Sequence, residues 1–176
     1  MIKKKSQIWV ETVIYTLIGL SIIGILLVII KPEIERQKDK LVIEQSIDLL
    51  KNIEETINEV NFYGPGNVMP VEVKITKGNL AIIPQDDIIS FAIESSYKYS
   101  EPKERIEIGE IFVTTEEKAK GYNVSLELDY SGKLNLTFNG KEEEKKFTKA
   151  PSPYKIFIKN NGKLPGTNLT NIDISY

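Results

Sequence analysis

The chain has 176 residues, with 23 Lys and Arg against 25 Asp and Glu, so its formal charge of -2 gives no basic field for capturing nucleic acid. It contains no cysteine and no histidine, which excludes disulfides, thiolate nucleophiles, zinc–thiolate sites and the Ser–His and Cys–His catalytic pairs. Hydrophobic residues make up 41% and charged residues 27%, the balance of one folded domain with an appendage rather than of a disordered chain.

The apolar residues are unevenly spread. From Thr12 to Ile30 run 19 residues without a formal charge, flanked by Glu11 and Lys31. As a helix that run is about 28 Å long, close to the roughly 30 Å hydrocarbon core of a bilayer. Thirteen of the 19 are Ile, Leu or Val. At about -0.3 to -0.6 kcal/mol each they outweigh Glu11, whose cost is at most about 3 kcal/mol and falls near an interface. The segment is expected to insert, with its membrane part at about residues 10–30. Lys3, Lys4 and Lys5 would suit a secretory signal, but the run is longer than the usual 7–15 or so residues and no small-x-small site follows it. An uncleaved anchor with its N-terminus inside fits better. A carboxylate one turn into such a helix marks Glu11 as a functional candidate, and the alternative is a side chain resting at headgroup level.

Lys4-Lys5-Ser6-Gln7-Ile8-Trp9-Val10-Glu11, followed directly by the apolar helix, resembles the class III prepilin signal of archaeal type IV pilins. The resemblance implies a leader over residues 1–6, cut by a membrane prepilin peptidase between Ser6 and Gln7. It makes Glu11 the fifth mature residue and keeps the whole apolar helix. Ser6 stands where the family more often has glycine, and Trp9 where it often has a small polar residue. The implied partners are copies of the same chain in a filament, the peptidase, an assembly platform and, before assembly, membrane lipid. In a helical bundle, Glu11 of one subunit would pair with the Gln7 amine of a neighbour, offsetting the desolvation of both and setting the axial register.

Along the helix, Thr12, Thr16 and Gly19 form a stripe of small residues, with Ser21 and Gly24 on another side, as close-packed membrane helices favour. Pro32 predicts a kink. Beyond it Ile43, Ile47, Leu50, Ile57 and Val60 recur at three- and four-residue multiples, with Ile53 nearby. That pattern predicts an amphipathic second half packed on the C-terminal domain. Gly64-Pro65-Gly66 ends the helix, so the expected layout is a helix over 7–63, a linker over 64–69 and an external β domain over 70–176.

Period-two alternation then takes over. Val71, Val73 and Ile75 are followed by Leu80 through Ile83, then Ile89, Phe91 and Ile93, then Ile106 and Ile108. The clearest expected hairpin runs Tyr122 to Tyr130, turns at Ser131-Gly132 and returns through Leu134, Leu136 and Phe138. Asn139-Gly140 is a second turn, leading to a charged strand over Lys141–Thr148, and Tyr154, Ile156 and Ile158 lead to a turn at Asn161-Gly162. Ile172, Ile174 and Tyr176 close the chain. Seven to nine strands in an antiparallel sheet or β-sandwich are expected, making an α+β fold with the long N-terminal helix.

Three glycosylation sequons begin at Asn123, Asn135 and Asn168, and the first two should face outward. Asp86-Asp87 reads as a turn or cap rather than a calcium site, and Glu142-Glu143-Glu144 as a solvated guard on a strand edge. Tyr97, Tyr99, Tyr122 and Tyr130 read as packing residues rather than sugar-stacking ones. No catalytic, cofactor or metal residues are expected. The sequence therefore points to a subunit of an extracellular pilus-like filament, assembled through Gln7, Glu11, Gly19, Gly24 and Pro32 on its N-terminal helix. The alternative is a monomeric, membrane-tethered binding or adhesion module, with a tethered hydrolase a distant third.

Overall fold

The computed structural model describes the backbone of residues 2–176 and the side chains of residues 9–176. The side chains of Ser6 and Gln7, the expected cleavage pair, lie outside the described residues. The chain divides into two compact units, Met1–Lys38 and Asp39–Tyr176. A single helix, α1 (Ile2–Tyr63), makes up the first and opens the second, and its helical backbone runs through Pro32 without interruption.

The second unit holds residues 39–63 of α1 and ten strands, one more than the upper end of the expected range. The strands are β1 (Val68–Val73), β2 (Asn79–Ile83), β3 (Ile88–Ser95), β4 (Arg105–Ile108) and β5 (Ile111–Lys118), then β6 (Gly121–Asp129), β7 (Leu134–Phe138), β8 (Lys145–Thr148), β9 (Tyr154–Lys163) and β10 (Thr170–Ser175). They form a four-stranded sheet in the order β1-β9-β10-β7 and a six-stranded sheet in the order β4-β5-β6-β3-β2-β8. Ile43, Ile47, Leu50, Ile53, Ile57 and Val60 of α1 are buried in the same core as the inward side chains of both sheets. The α+β class and the amphipathic second half of the helix are therefore both present.

Cross-strand register explains how the larger sheet contributes. Ile89, Phe91 and Ile93 of β3 lie opposite Leu128, Leu126 and Val124 of β6, and all six are buried. On the far side of β6, Ile111 and Val113 of β5 face Leu128 and Leu126. Each such side chain contributes about 1.5–3 kcal/mol by leaving water, so one continuous ladder anchors the domain.

The helix stop at Gly64 follows from geometry. Gly64 takes φ +85°, the left-handed cap conformation, and Asn67 Nδ2 donates to the carbonyls of Tyr63 and Gly64, both at 2.9 Å. Val68 and Met69, expected in the linker, already belong to β1, so the connection shortens to residues 64–67.

Three further expectations change. The β6–β7 hairpin does not form: β7 crosses to the other sheet and pairs with β10 in parallel. A turn at Tyr130 redirects the chain, with Lys133 N and Leu134 N both donating to the Tyr130 carbonyl at 2.8 and 3.0 Å. The Asp87 side chain then accepts from Leu136 N at 2.8 Å and holds β7 in place. Asn161-Gly162 is not a turn either. It lies inside β9, where the register shifts opposite Asn171 and Ile172 as a β-bulge, with Gly162 at φ +88°. The charged strand shrinks to Lys145–Thr148 at the edge of the larger sheet, with Glu142–Glu144 just before it. Asn139-Gly140 does turn, both at positive φ, with Phe138 and Lys141 exchanging two backbone hydrogen bonds at 2.8 and 3.0 Å. Asp87 caps a single 3₁₀ turn, Pro84–Asp86, in the left-handed conformation.

One buried polar cluster anchors the start of the domain. Asp39, 8% exposed, accepts from Ser96 N at 2.7 Å and Ser96 Oγ at 2.8 Å, and Lys77 Nζ completes the group. Burial alone would raise the Asp39 pKa, but the Lys77 and Ser96 hydrogen bonds together hold it below its ordinary 3.8. A depressed carboxylate stabilises the fold above its unfolded value and loses that contribution as pH falls through the folded value. Acid melts of the full chain in detergent should thus show a stability loss below about pH 3.8 that Asp39→Asn lacks. The same variant should be less stable near neutral pH by about 2 kcal/mol. Matching acid profiles for the two proteins would show that the cluster carries no such weight.

Candidate functional site

The Thr12–Ile30 stretch of the N-terminal unit has the composition of a protein interior and the exposure of a surface. Trp9, Val13, Ile18, Leu20, Ile25, Leu27 and Val28 are exposed, the last at 76%. Among the described residues, α1 is the one helix long and apolar enough to cross a membrane, and its most apolar stretch is 0% buried. Seen by water, such a surface would cost tens of kcal/mol at roughly 25 cal/mol per Å². Lipid tails or neighbouring apolar helices remove that cost.

The polar groups within the stretch suit such a medium. Thr16 Oγ1 donates to the Thr12 carbonyl at 2.7 Å, and Ser21 Oγ to the Leu17 carbonyl at 2.8 Å. Both of these hydroxyls are satisfied within the helix, as a low-dielectric surrounding favours. Gly19 and Gly24 present bare backbone: a Cβ built on either would meet nothing within 4 Å. The space beside them is open to another helix. Glu11 is exposed and makes no hydrogen bond or ion pair among the described residues. A carboxylate at the mouth of an apolar stretch, with no cation paired to it among the described residues, can accept a charge supplied from outside.

The expected glycosylation sites are unequal. Asn168 is exposed in the loop before β10. Asn123 on β6, between half-buried Tyr122 and buried Val124, and Asn135 on β7, between buried Leu134 and Leu136, are both half-buried, and Asn135 accepts from Asn171 Nδ2 at 2.6 Å. Tyr97 and Tyr99 pack against the core from the segment after β3, and Tyr130 is buried.

Sequence reasoning missed a polar cleft of about 400 Å³ in the second unit. Glu54, Asn58 and Asn61 of α1 form one wall, and Glu110, Leu128, Asp129, Tyr130, Lys133 and Leu134 form the rest. The i, i+4, i+7 spacing of the helix residues places them on one face. That spacing was readable in the sequence, but the arrival of Glu110 and Tyr130 opposite it depends on strand pairing. Compared with family models, with curated proteins and with solved structures, the chain matches none.

Proposed function

We propose that the chain is the structural subunit of an extracellular filament of the type IV pilin kind, built by bundling its N-terminal helices. The observation that carries the reading is a 19-residue charge-free surface from Thr12 to Ile30 opened by Glu11, a carboxylate without a partner among the described residues. In a bundle, apolar faces replace lipid around one another, and the Gln7 amine of a neighbour, freed by cleavage after Ser6, neutralises Glu11 and fixes the stagger. Gly19 and Gly24 support the reading by leaving room for close approach. The β domain, held outside the membrane, forms the outer sheath.

Two measurements on the producing cells test this. Mass spectrometry of the mature chain should find Gln7 as its first residue. Fibres sheared from the surface and seen by electron microscopy should contain this chain as their bulk protein. An intact Met1 on a solitary membrane-bound chain would replace the filament with a tethered binding module.

A further inference from the structure

We propose that the cleft floored by Tyr130 binds an organic cation, a guanidinium or primary ammonium group. Two independent observations point there. The first is charge: Glu54, Glu110 and Asp129 line the cleft against a single ammonium, Lys133. Two of those carboxylates are already engaged. Glu110 pairs with Lys133 at 3.1 Å, and Asp129 accepts from Ser131 N at 3.0 Å and from the Ser131 hydroxyl. Glu54 is half-buried and makes no hydrogen bond or ion pair among the described residues.

The second observation is Tyr130. It is 7% exposed, and its hydroxyl is the one buried side-chain polar atom without a hydrogen-bond partner among the described residues. An unmade hydrogen bond of this kind is costly, so it marks a place where a ligand has something to gain. Burial, then Glu54 and Glu110, push the phenol above its ordinary pKa, so it keeps its proton and its oxygen can accept. Burial, then Glu110 and Glu55, likewise push Glu54 upward. A cation relieves both groups at once, its N–H groups donating to the Glu54 carboxylate and the Tyr130 oxygen.

The same features argue against other ligands. An anion meets net negative charge. A neutral sugar would use Asn58 and Asn61 but leave Glu54 and Glu110 repelling each other. No group of three or more carboxylates among the described residues is arranged to hold a metal ion. Leu128 and Leu134 offer an apolar wall for the methylene stem that accompanies a guanidinium or ammonium head. The cation comes either from a Lys or Arg side chain of a second copy or from a free small molecule. The site goes beyond the filament reading and stands without it, because every lining residue belongs to Asp39–Tyr176.

The test is a titration of the full ¹⁵N-labelled chain in detergent micelles with methylguanidinium chloride, against sodium chloride at matched ionic strength and methyl β-glucoside. Methylguanidinium should shift the side-chain amide signals of Asn58 and Asn61 and the backbone signal of Tyr130, with saturation. Glu54→Gln, at a half-exposed helix position that tolerates the change, should fold normally and weaken binding roughly tenfold. Tyr130→Phe should weaken it with Glu54 intact. If the same signals also move with protein concentration before any probe is added, and methylguanidinium reverses the movement, a second copy supplies the cation. If they do not, the source is a free molecule, and the cation site stands in either case. Shifts no larger than those from sodium chloride, equal affinity in Glu54→Gln, or binding of the glucoside instead would overturn the proposal.

Discussion

On the proposed filament reading, Glu11→Gln is expected to leave the chain in the membrane and abolish fibres. The substitution keeps side-chain size and hydrogen-bonding capacity while deleting one charge, so insertion of the Thr12–Ile30 stretch becomes slightly more favourable. Assembly is another matter. If the neighbour's amine at Gln7 is brought to the Glu11 depth, removing the carboxylate strands that amine in an apolar bundle. Breaking such a pair typically costs about 3–5 kcal/mol, which is more than a hundredfold in each subunit's association. Membrane fractions should therefore contain normal amounts of the variant while the sheared fraction contains none. Glu35→Gln is the matched control: it deletes one charge from the same helix at an exposed position, and fibres should survive it. Wild-type fibre yield from Glu11→Gln would mean that apolar packing alone sets the register, and the charge-pairing mechanism would be wrong.

How far the sequence reached can be judged from particular residues. The six buried apolar positions on α1, from Ile43 to Val60, were legible because helical periodicity is local and its consequence, one apolar face, does not depend on the partner. The inward ladder of β3 and β6 was legible as alternation for the same reason. The partners were not. Leu134, Leu136 and Phe138 alternate equally well whether β7 folds back on β6 or crosses to β10, because period two fixes a face and not a neighbour.

Buried polar groups were the hardest to foresee. Asn160 stands beside an Asn-Gly pair that by itself signals a turn, yet it is 1% exposed. Its side chain accepts from Gly162 N at 2.7 Å and donates to the Val60 carbonyl at 3.2 Å, tying the bulge in β9 to the last turns of the helix. The cleft around Tyr130 shares this character. Its chemistry comes from residues scattered between Glu54 and Leu134 that only the sheet topology brings together.

Leu50→Asp should separate the two halves of the helix by what each needs from its surroundings. Leu50 is 0% exposed in the domain core. Truncating such a side chain costs about 2–5 kcal/mol, and placing an unpaired carboxylate there adds several more. The sum rivals the roughly 5–15 kcal/mol that stabilises an ordinary domain. The β domain should lose its near-ultraviolet circular dichroism and its resistance to protease. The span from Thr12 to Ile30 carries none of that burial, since its side chains face outward, and lipid alone is enough to hold it. Leu50→Asp should accordingly remain in the membrane and resist extraction by carbonate, with proteolysis reducing it to a short lipid-protected fragment. If the variant were instead released from the membrane, insertion would depend on the folded domain, and the apolar stretch would not be an independent anchor. The outcome bears on assembly as well. A filament whose core is made by the first unit and whose sheath is made by the second needs both, so this variant should yield no fibres despite an intact Glu11.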